Sequence, residues 1–190
     1  MGNKIDIISN SLLLLGEKPI SDLNDGSDVA DIINNTYPSF KLDELANYEW
    51  TFTQKQAQLN KIVKTPVLKY KNVFALPSDF LRIKNVYADS DGDYTLDKYS
   101  IKEDGLYCDE DEIYVEYSAN VAEEKFPAYF NEYFSYAYAA KINMSVTESE
   151  NKQALLNSVT PDKRQKAKTT DAMQEGNEFI QEFSVINVRS

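Results

Sequence analysis

The chain has no histidine and one cysteine, Cys108. The usual ligand sets for zinc, copper and haem are therefore missing, no internal disulfide can form, and no cofactor is expected. Long apolar runs are scarce as well. Near the N-terminus the longest is Leu12–Leu15, far short of a signal-peptide core or a membrane span, which predicts a cytoplasmic product with no membrane role. Gly2 is not followed by the Ser or Thr that myristoylation wants, since position 6 is Asp. Positive charge is the third shortage: 20 Lys and Arg stand against 31 Asp and Glu, a formal net charge of −11. Affinity for phosphates comes from Lys and Arg displacing counterions, so a sequence-reading DNA binder is excluded. No internal repeat or low-complexity tract is present. What remains is a chain of 190 residues, 42% hydrophobic, enough for a real core in one domain or one domain with an insertion.

Ile5, Ile8, Leu12 and Leu15 recur at helical spacing, and Gly16 followed by Pro19 supplies a stop. Ser27 caps a second predicted helix with Val29, Ile32 and Ile33 on one face, kinked near Thr36–Pro38 and continuing to Trp50, a core anchor. From Thr51 the apolar residues fall into short runs broken by Pro66, Pro77 and polar turns, a β region that ends in the alternating segment Ile113–Tyr117 and predicts a small antiparallel sheet. Helical periodicity returns at Phe126-Pro127, with Pro127 in the first turn and Phe126, Phe130, Phe134 and Tyr138 four residues apart. A further helical stretch carries Leu155, Leu156 and Val159, and Thr160-Pro161 reads as the start of a last helix ending near Phe183. The class is α+β: N-terminal helices over 1–54, a β insertion over 55–125, C-terminal helices over 126–183 and a tail over 184–190.

Candidate chemistry is thin. Asp89, Asp91 and Asp93 resemble the start of a calcium loop, but the sixth position is Tyr94 instead of Gly and the twelfth is Ser100 instead of Glu, so no metal site is read there. A solvated Asp-Gly hairpin is the expectation. Asp109, Glu110, Asp111, Glu112, Glu123 and Glu124 offer carboxylate pairs for glycan hydrolysis. Their density argues for a polar rim instead, because a general acid needs one desolvated carboxyl. The Phe126–Tyr138 stripe has no interleaved Lys or Arg, which favours core or subunit packing over base stacking. The acceptor patterns at Asn34 and Asn143 are set aside as chance matches. No catalytic residue is proposed, and the expectation is a non-enzyme.

Charge is unevenly divided. Residues 55–84 hold seven Lys or Arg (Lys55, Lys61, Lys64, Lys69, Lys71, Arg82, Lys84) against Asp79 alone, a balance of +6. Residues 85–124 hold thirteen Asp or Glu against Lys98 and Lys102, a balance of −11. Two explanations stand side by side: cross-strand ion pairing within one chain, or the basic part of one subunit facing the acidic part of the next in a head-to-tail ring. The second makes Lys69, Lys71, Asp109, Glu110, Asp111 and Glu112 a candidate subunit interface.

The most telling segment is Phe74-Ala-Leu-Pro-Ser-Asp-Phe-Leu-Arg-Ile83, a strand that stops at Pro77, turns at Ser78-Asp79 and restarts at Phe80. With Leu12–Leu15-Gly16-Glu17-Lys18-Pro19-Ile20, Tyr37…Leu45…Trp50-Thr51-Phe52, Ile113…Tyr117 and the Phe126-Pro127 helix, in that order, it resembles the head-to-tail adaptor (connector) family of short-tailed bacteriophages, also called tail tubular protein A. The resemblance spans nearly the whole chain but not the Asp-rich hairpin or Val185–Ser190. Gly16, Pro19, Trp50, Leu76, Pro77, Asp79, Arg82 and Pro127 are the structural positions it marks. It implies an α-helical bundle with a β insertion, assembled as a ring, usually of twelve copies, between the portal protein and the tail nozzle. Such a ring is a virion component of the neck or tail, made in the host bacterial cytoplasm. Genomic DNA passes through its channel without sequence-specific binding, and it acts in DNA ejection rather than as an enzyme. The alternative from another class is a tail-associated peptidoglycan hydrolase using two of the carboxylates above.

Overall fold

In a computed structural model, described for residues 3–63, 66, 69–102 and 105–174, the chain is mixed α+β, with four helices and two small antiparallel sheets. Helix α1 (Lys4–Leu14) begins at a capping box, in which Asn3 accepts from the Asp6 amide at 2.9 Å and Asp6 accepts from the Asn3 amide at 3.0 Å. It ends where Gly16 takes φ +72°, a left-handed turn that lets the Gly16 and Glu17 amides reach the Leu13 and Leu12 carbonyls, each at 2.9 Å. Its buried face is Ile7, Ile8, Leu12 and Leu15, turned slightly from the predicted one, with Ile5 only half-buried.

Helix α2 (Asp28–Ala46) starts at Ser27, whose hydroxyl accepts from the Ala30 amide at 3.2 Å. It runs unbroken through Pro38 and stops at Ala46, before Trp50, which has an extended backbone and opens the short 3-10 turn Thr51–Thr53. The Pro38 ring is exposed, and the next helical layer is held by Tyr37, edge-on to Phe134 at 5.9 Å and to Tyr138 at 5.2 Å. Tertiary packing carries the helix across a residue that lacks an amide donor.

The β region forms two three-stranded sheets instead of the single one expected. Strands β1 (Gln54–Gln58), β6 (Tyr114–Ala119) and β3 (Phe80–Tyr87) form one in the order β1-β6-β3. Strands β2 (Asn72–Ala75), β5 (Gly105–Cys108) and β4 (Ser100–Lys102) form the other in the order β2-β5-β4. Residues 59–62 step from one to the other: the Leu59 amide donates to Ile113 at 3.0 Å, then the Ile62 amide donates to Val73 at 2.8 Å and the Asn60 carbonyl accepts from Ala75 at 2.9 Å. Hydrophobic runs identify strands but not partners, so the split between sheets could not be read from them.

Helix α3 (Ala128–Val146) lies against α1, α2 and α4 (Glu150–Ala172). Pro127 sits at its N-cap, just ahead of the first helical residue. Phe126, Phe130, Phe134 and Tyr138 are all buried there, which settles the aromatic stripe as core. α4 corrects an expectation: it is one helix through Pro161, capped at Ser149, and the Thr160 hydroxyl bonds back to the Leu156 carbonyl at 2.7 Å instead of opening a new helix. Packing along α3 outweighs the local start signal. The predicted end near Phe183 and the tail Val185–Ser190 lie outside the described residues. One continuous apolar core joins Leu12, Ile33, Trp50 and Phe130 of the helical part to Phe74, Leu106 and Val115 of the sheets. No described helix is long and apolar enough to cross a membrane.

Candidate functional site

Leu76 to Arg82 forms the corner between the two sheets. The chain leaves β2, Phe80 donates its amide to the Pro77 carbonyl at 3.0 Å, and β3 begins in the other sheet. Asp79 ties the corner on three sides. Its carboxylate accepts from Lys55 Nζ at 2.5 Å and from the Tyr117 hydroxyl at 3.1 Å, and its carbonyl accepts from the Asn120 amide at 2.7 Å. The Lys55 bond, outweighing partial burial, holds the Asp79 carboxyl below the usual range, and burial followed by the Asp79 bond pushes the Tyr117 hydroxyl up to about 12. Arg82, three residues on, pairs with Glu49 at 3.0 Å and so links the sheet to the segment that follows α2. Beside it Trp50 is fully buried, packed on Tyr48 at 4.7 Å and Phe130 at 4.8 Å, with its indole N–H donating to the Glu44 carbonyl at 3.0 Å. Gly16 supplies the α1 stop described above, and Pro19 is exposed in the following turn.

The chain matches no known family model and no curated protein.

All of the candidate interface residues gather at one end of the β2–β5 pair, where Asn72 is opposite Cys108. The Lys71 amide donates to Asp109 at 3.0 Å, Lys61 pairs with Asp111 at 3.0 Å, and the Asn72 side chain donates to the Glu110 carbonyl at 2.7 Å. Lys69 has φ +74° and places its ammonium 4.9 Å from the Tyr70 ring centre. Basic and acidic segments therefore meet here within a single chain. The Lys61 hydrogen bond holds the Asp111 carboxyl low, yet Asp111 is 92% exposed, so the pair itself contributes little to stability. Glu110 and Glu112 are exposed on the same rim.

Two of the other candidate carboxylates are held within the chain. Asp89 accepts from the Gly92 amide at 3.0 Å inside the hairpin, where Gly92 has φ +77°. Among the described residues no three His, Cys, Asp or Glu converge on a point where a metal ion could sit. Glu123 pairs with Lys41 at 3.1 Å, both side chains 13% exposed, whereas Glu124 is exposed.

Two carboxylates matter that the sequence reading passed over. Glu116, on the outer face of the first sheet, accepts from Gln56 at 2.8 Å, Asn85 at 2.9 Å and the Tyr87 hydroxyl at 3.0 Å, and these donors, Asn85 foremost, hold its carboxyl low. Asp171, 1% exposed near the end of α4, accepts from the Thr51 amide at 3.0 Å, the Thr51 hydroxyl at 2.9 Å and the Tyr129 hydroxyl at 2.7 Å. An acid in the last turn of a helix opposes the macrodipole, which was the available hint that Asp171 had another partner. Helix α3 also buries Tyr133, whose hydroxyl donates to Glu44; burial first, then the Glu44 charge, raises its pKa far above the ordinary tyrosine range.

These arrangements brace a shape. Asp79, Asp89, Asp109, Asp111, Glu116, Glu123 and Asp171 each accept from donors of their own chain.

Proposed function

We propose that the chain is the subunit of a head-to-tail adaptor ring joining a phage portal to the tail nozzle, that its four helices act as a bundle carrying the sheets as an insertion, and that it performs no chemistry. The observation carrying this reading is the corner at Leu76–Arg82. The segment with the strongest family resemblance is also the corner that joins the two sheets, held to β1 and β6 through Asp79 with Lys55 and Tyr117 and tied by Arg82 to Glu49, just past α2. The element order supports it too: two helices, the β region and two helices follow one another as the resemblance implies.

Charge fits the same reading. A channel lined by carboxylates repels DNA phosphates and offers no tight ion pair, so DNA slides through it. Chains at −11 each also repel one another, which calls for contacts of more than about 1,000 Å². Screening beyond roughly 8 Å softens that repulsion. Lys69 and the exposed Glu110 and Glu112 remain available for a neighbouring subunit, although Lys61 and Asp111 already pair within the chain.

The test is electron microscopy of the purified protein mixed with its candidate portal. Rings seated beneath the portal are expected, and Lys69→Glu with Lys71→Glu should shift the free protein toward monomers on sizing. A wild-type chain that stays monomeric at high concentration and ignores the portal refutes the proposal. So does hydrolysis of peptidoglycan that is lost in Glu123→Gln and Glu124→Gln.

A further inference from the structure

A cavity of about 470 Å³ opens on the outer face of the β1-β6-β3 sheet, between the strands and the turn Asp89–Gly92. Small-molecule sites span about 300–1,000 Å³. Strand register lays the floor in two rows: Gln56, Glu116 and Asn85 stand side by side across the three strands, and Gln58, Tyr114 and Tyr87 form the next row on the same face. The turn closes one side, since an added Cβ on Gly92 would stand 3.8 Å from the Tyr87 ring. We propose that this cavity is a binding site for a neutral saccharide of one or two rings. The site needs no neighbouring subunit and is independent of ring assembly.

The polar groups left over in the cavity decide the ligand class. Glu116 is already filled by Gln56 at 2.8 Å, Asn85 at 2.9 Å and the Tyr87 hydroxyl at 3.0 Å, so it fixes these side chains in place instead of awaiting a counter-ion. Gln56 keeps its carbonyl oxygen to offer. Asp89 bonds the Gly92 amide through one oxygen and keeps the other, while the Gln58 side chain and the Tyr114 hydroxyl have no hydrogen-bond partner among the described residues. This set mixes donors with acceptors. A sugar hydroxyl both donates and accepts and so matches all of them, and the half-buried rings of Tyr87 and Tyr114 supply apolar surface for the C–H side of a pyranose. Other ligands fit worse. An anion would meet Asp89, Asp91 and Glu116 with no Lys or Arg in the lining, and a lone cation would leave the Gln58 amide N–H and the Tyr114 hydroxyl hydrogen without acceptors.

Saturation-transfer NMR on the full-length protein tests the assignment with glucose, galactose, mannose, N-acetylglucosamine, lactose and maltose as probes, and with spermidine and inorganic phosphate as charged controls. Transfer to at least one sugar and none to phosphate is expected. Gln58→Ala, at an exposed position of the edge strand, should weaken that sugar about two- to tenfold, the worth of one hydrogen bond, and adding Tyr114→Phe should weaken it further with the far-UV circular dichroism unchanged. Gln165→Ala, on the exposed face of α4, should leave it as in the wild type. Absence of transfer to every sugar overturns the proposal, as does equal affinity in the wild type and the Gln58→Ala, Tyr114→Phe double variant. Binding of spermidine without any sugar would make this a cation site and overturn it too.

Discussion

Replacing Asp171 with alanine removes the acceptor of three hydrogen bonds that join α4 to the Thr51–Thr53 turn and to α3. A hydrogen bond to a charged group is worth about 1.5–3 kcal/mol, and an unsatisfied donor costs a similar amount. Thr51 and Tyr129 are only half-buried, so water replaces part of what is lost, and the three bonds share one carboxylate. A loss of about 3 kcal/mol is the expected net. With a urea dependence of about 2 kcal/mol per molar, the unfolding midpoint should fall by roughly 1.5 M. Asp171→Asn keeps one acceptor oxygen and turns an amide N–H toward the other donors, so it should lose about half as much. Trp50 adjoins Thr51 and reports the site by fluorescence, and far-UV circular dichroism followed in the same samples shows whether the fold melts with it. A Tyr129→Phe, Asp171→Asn cycle should give a coupling of about 1 kcal/mol. A midpoint shift below about 0.3 M for the alanine variant, or no coupling in the cycle, would show that Asp171 does not brace the helix end.

Gly105→Ala should destabilise through the strand pair β2–β5, because an added Cβ would stand 2.7 Å from Val73 Cγ1 and 3.1 Å from the Phe74 carbonyl oxygen, both in the core. A cost of about 1–3 kcal/mol lowers Tm by roughly 3–8 °C, and an unchanged melting curve would mean that β2 gives way freely. Acid should weaken the fold in a defined window. Asp79, Asp111 and Glu116 bind protons less tightly in the folded state than at their ordinary values of 3.8, 3.8 and 4.5, so their stabilising effect is complete above those values and vanishes as pH falls through the lower folded ones. Urea midpoints should hold steady from about pH 7 to 5 and drop below about pH 4, and Glu116→Gln should flatten that drop; an equal acid slope in the variant would remove Glu116 from the account.

Local signals were legible where the chain's own chemistry decides. Asn3 and Ser27 cap helices, Gly16 ends one, and the spacing of Phe126, Phe130, Phe134 and Tyr138 marks the buried stripe of α3. The turn after Pro77 was equally plain, because proline and aspartate act on their immediate neighbours. Misreadings arose where distant packing overrode such signals. Thr160-Pro161 looks like a helix start, yet α3 supports α4 straight through it. Trp50 was read correctly as a core anchor but wrongly as helical, since an indole can reach the core from an extended backbone. Asp171 and Glu116 take partners 120 and up to 60 residues away, respectively, and no local pattern announces such pairings. The charge division was visible, but its resolution depended on the register that sets Asn72 against Cys108.

The placement of β6 also governs when the molecule can take shape. Gln54 finds its strand partner at Ser118, and α1 and α2 both pack on α3, which begins at Ala128. A ribosome must therefore deliver more than half of the polypeptide before these pairings can close, and folding is delayed until synthesis is well advanced. Until then Leu12, Ile33 and Trp50 remain open to water, and a nascent chain paused ahead of residue 114 would be the species most in need of a chaperone.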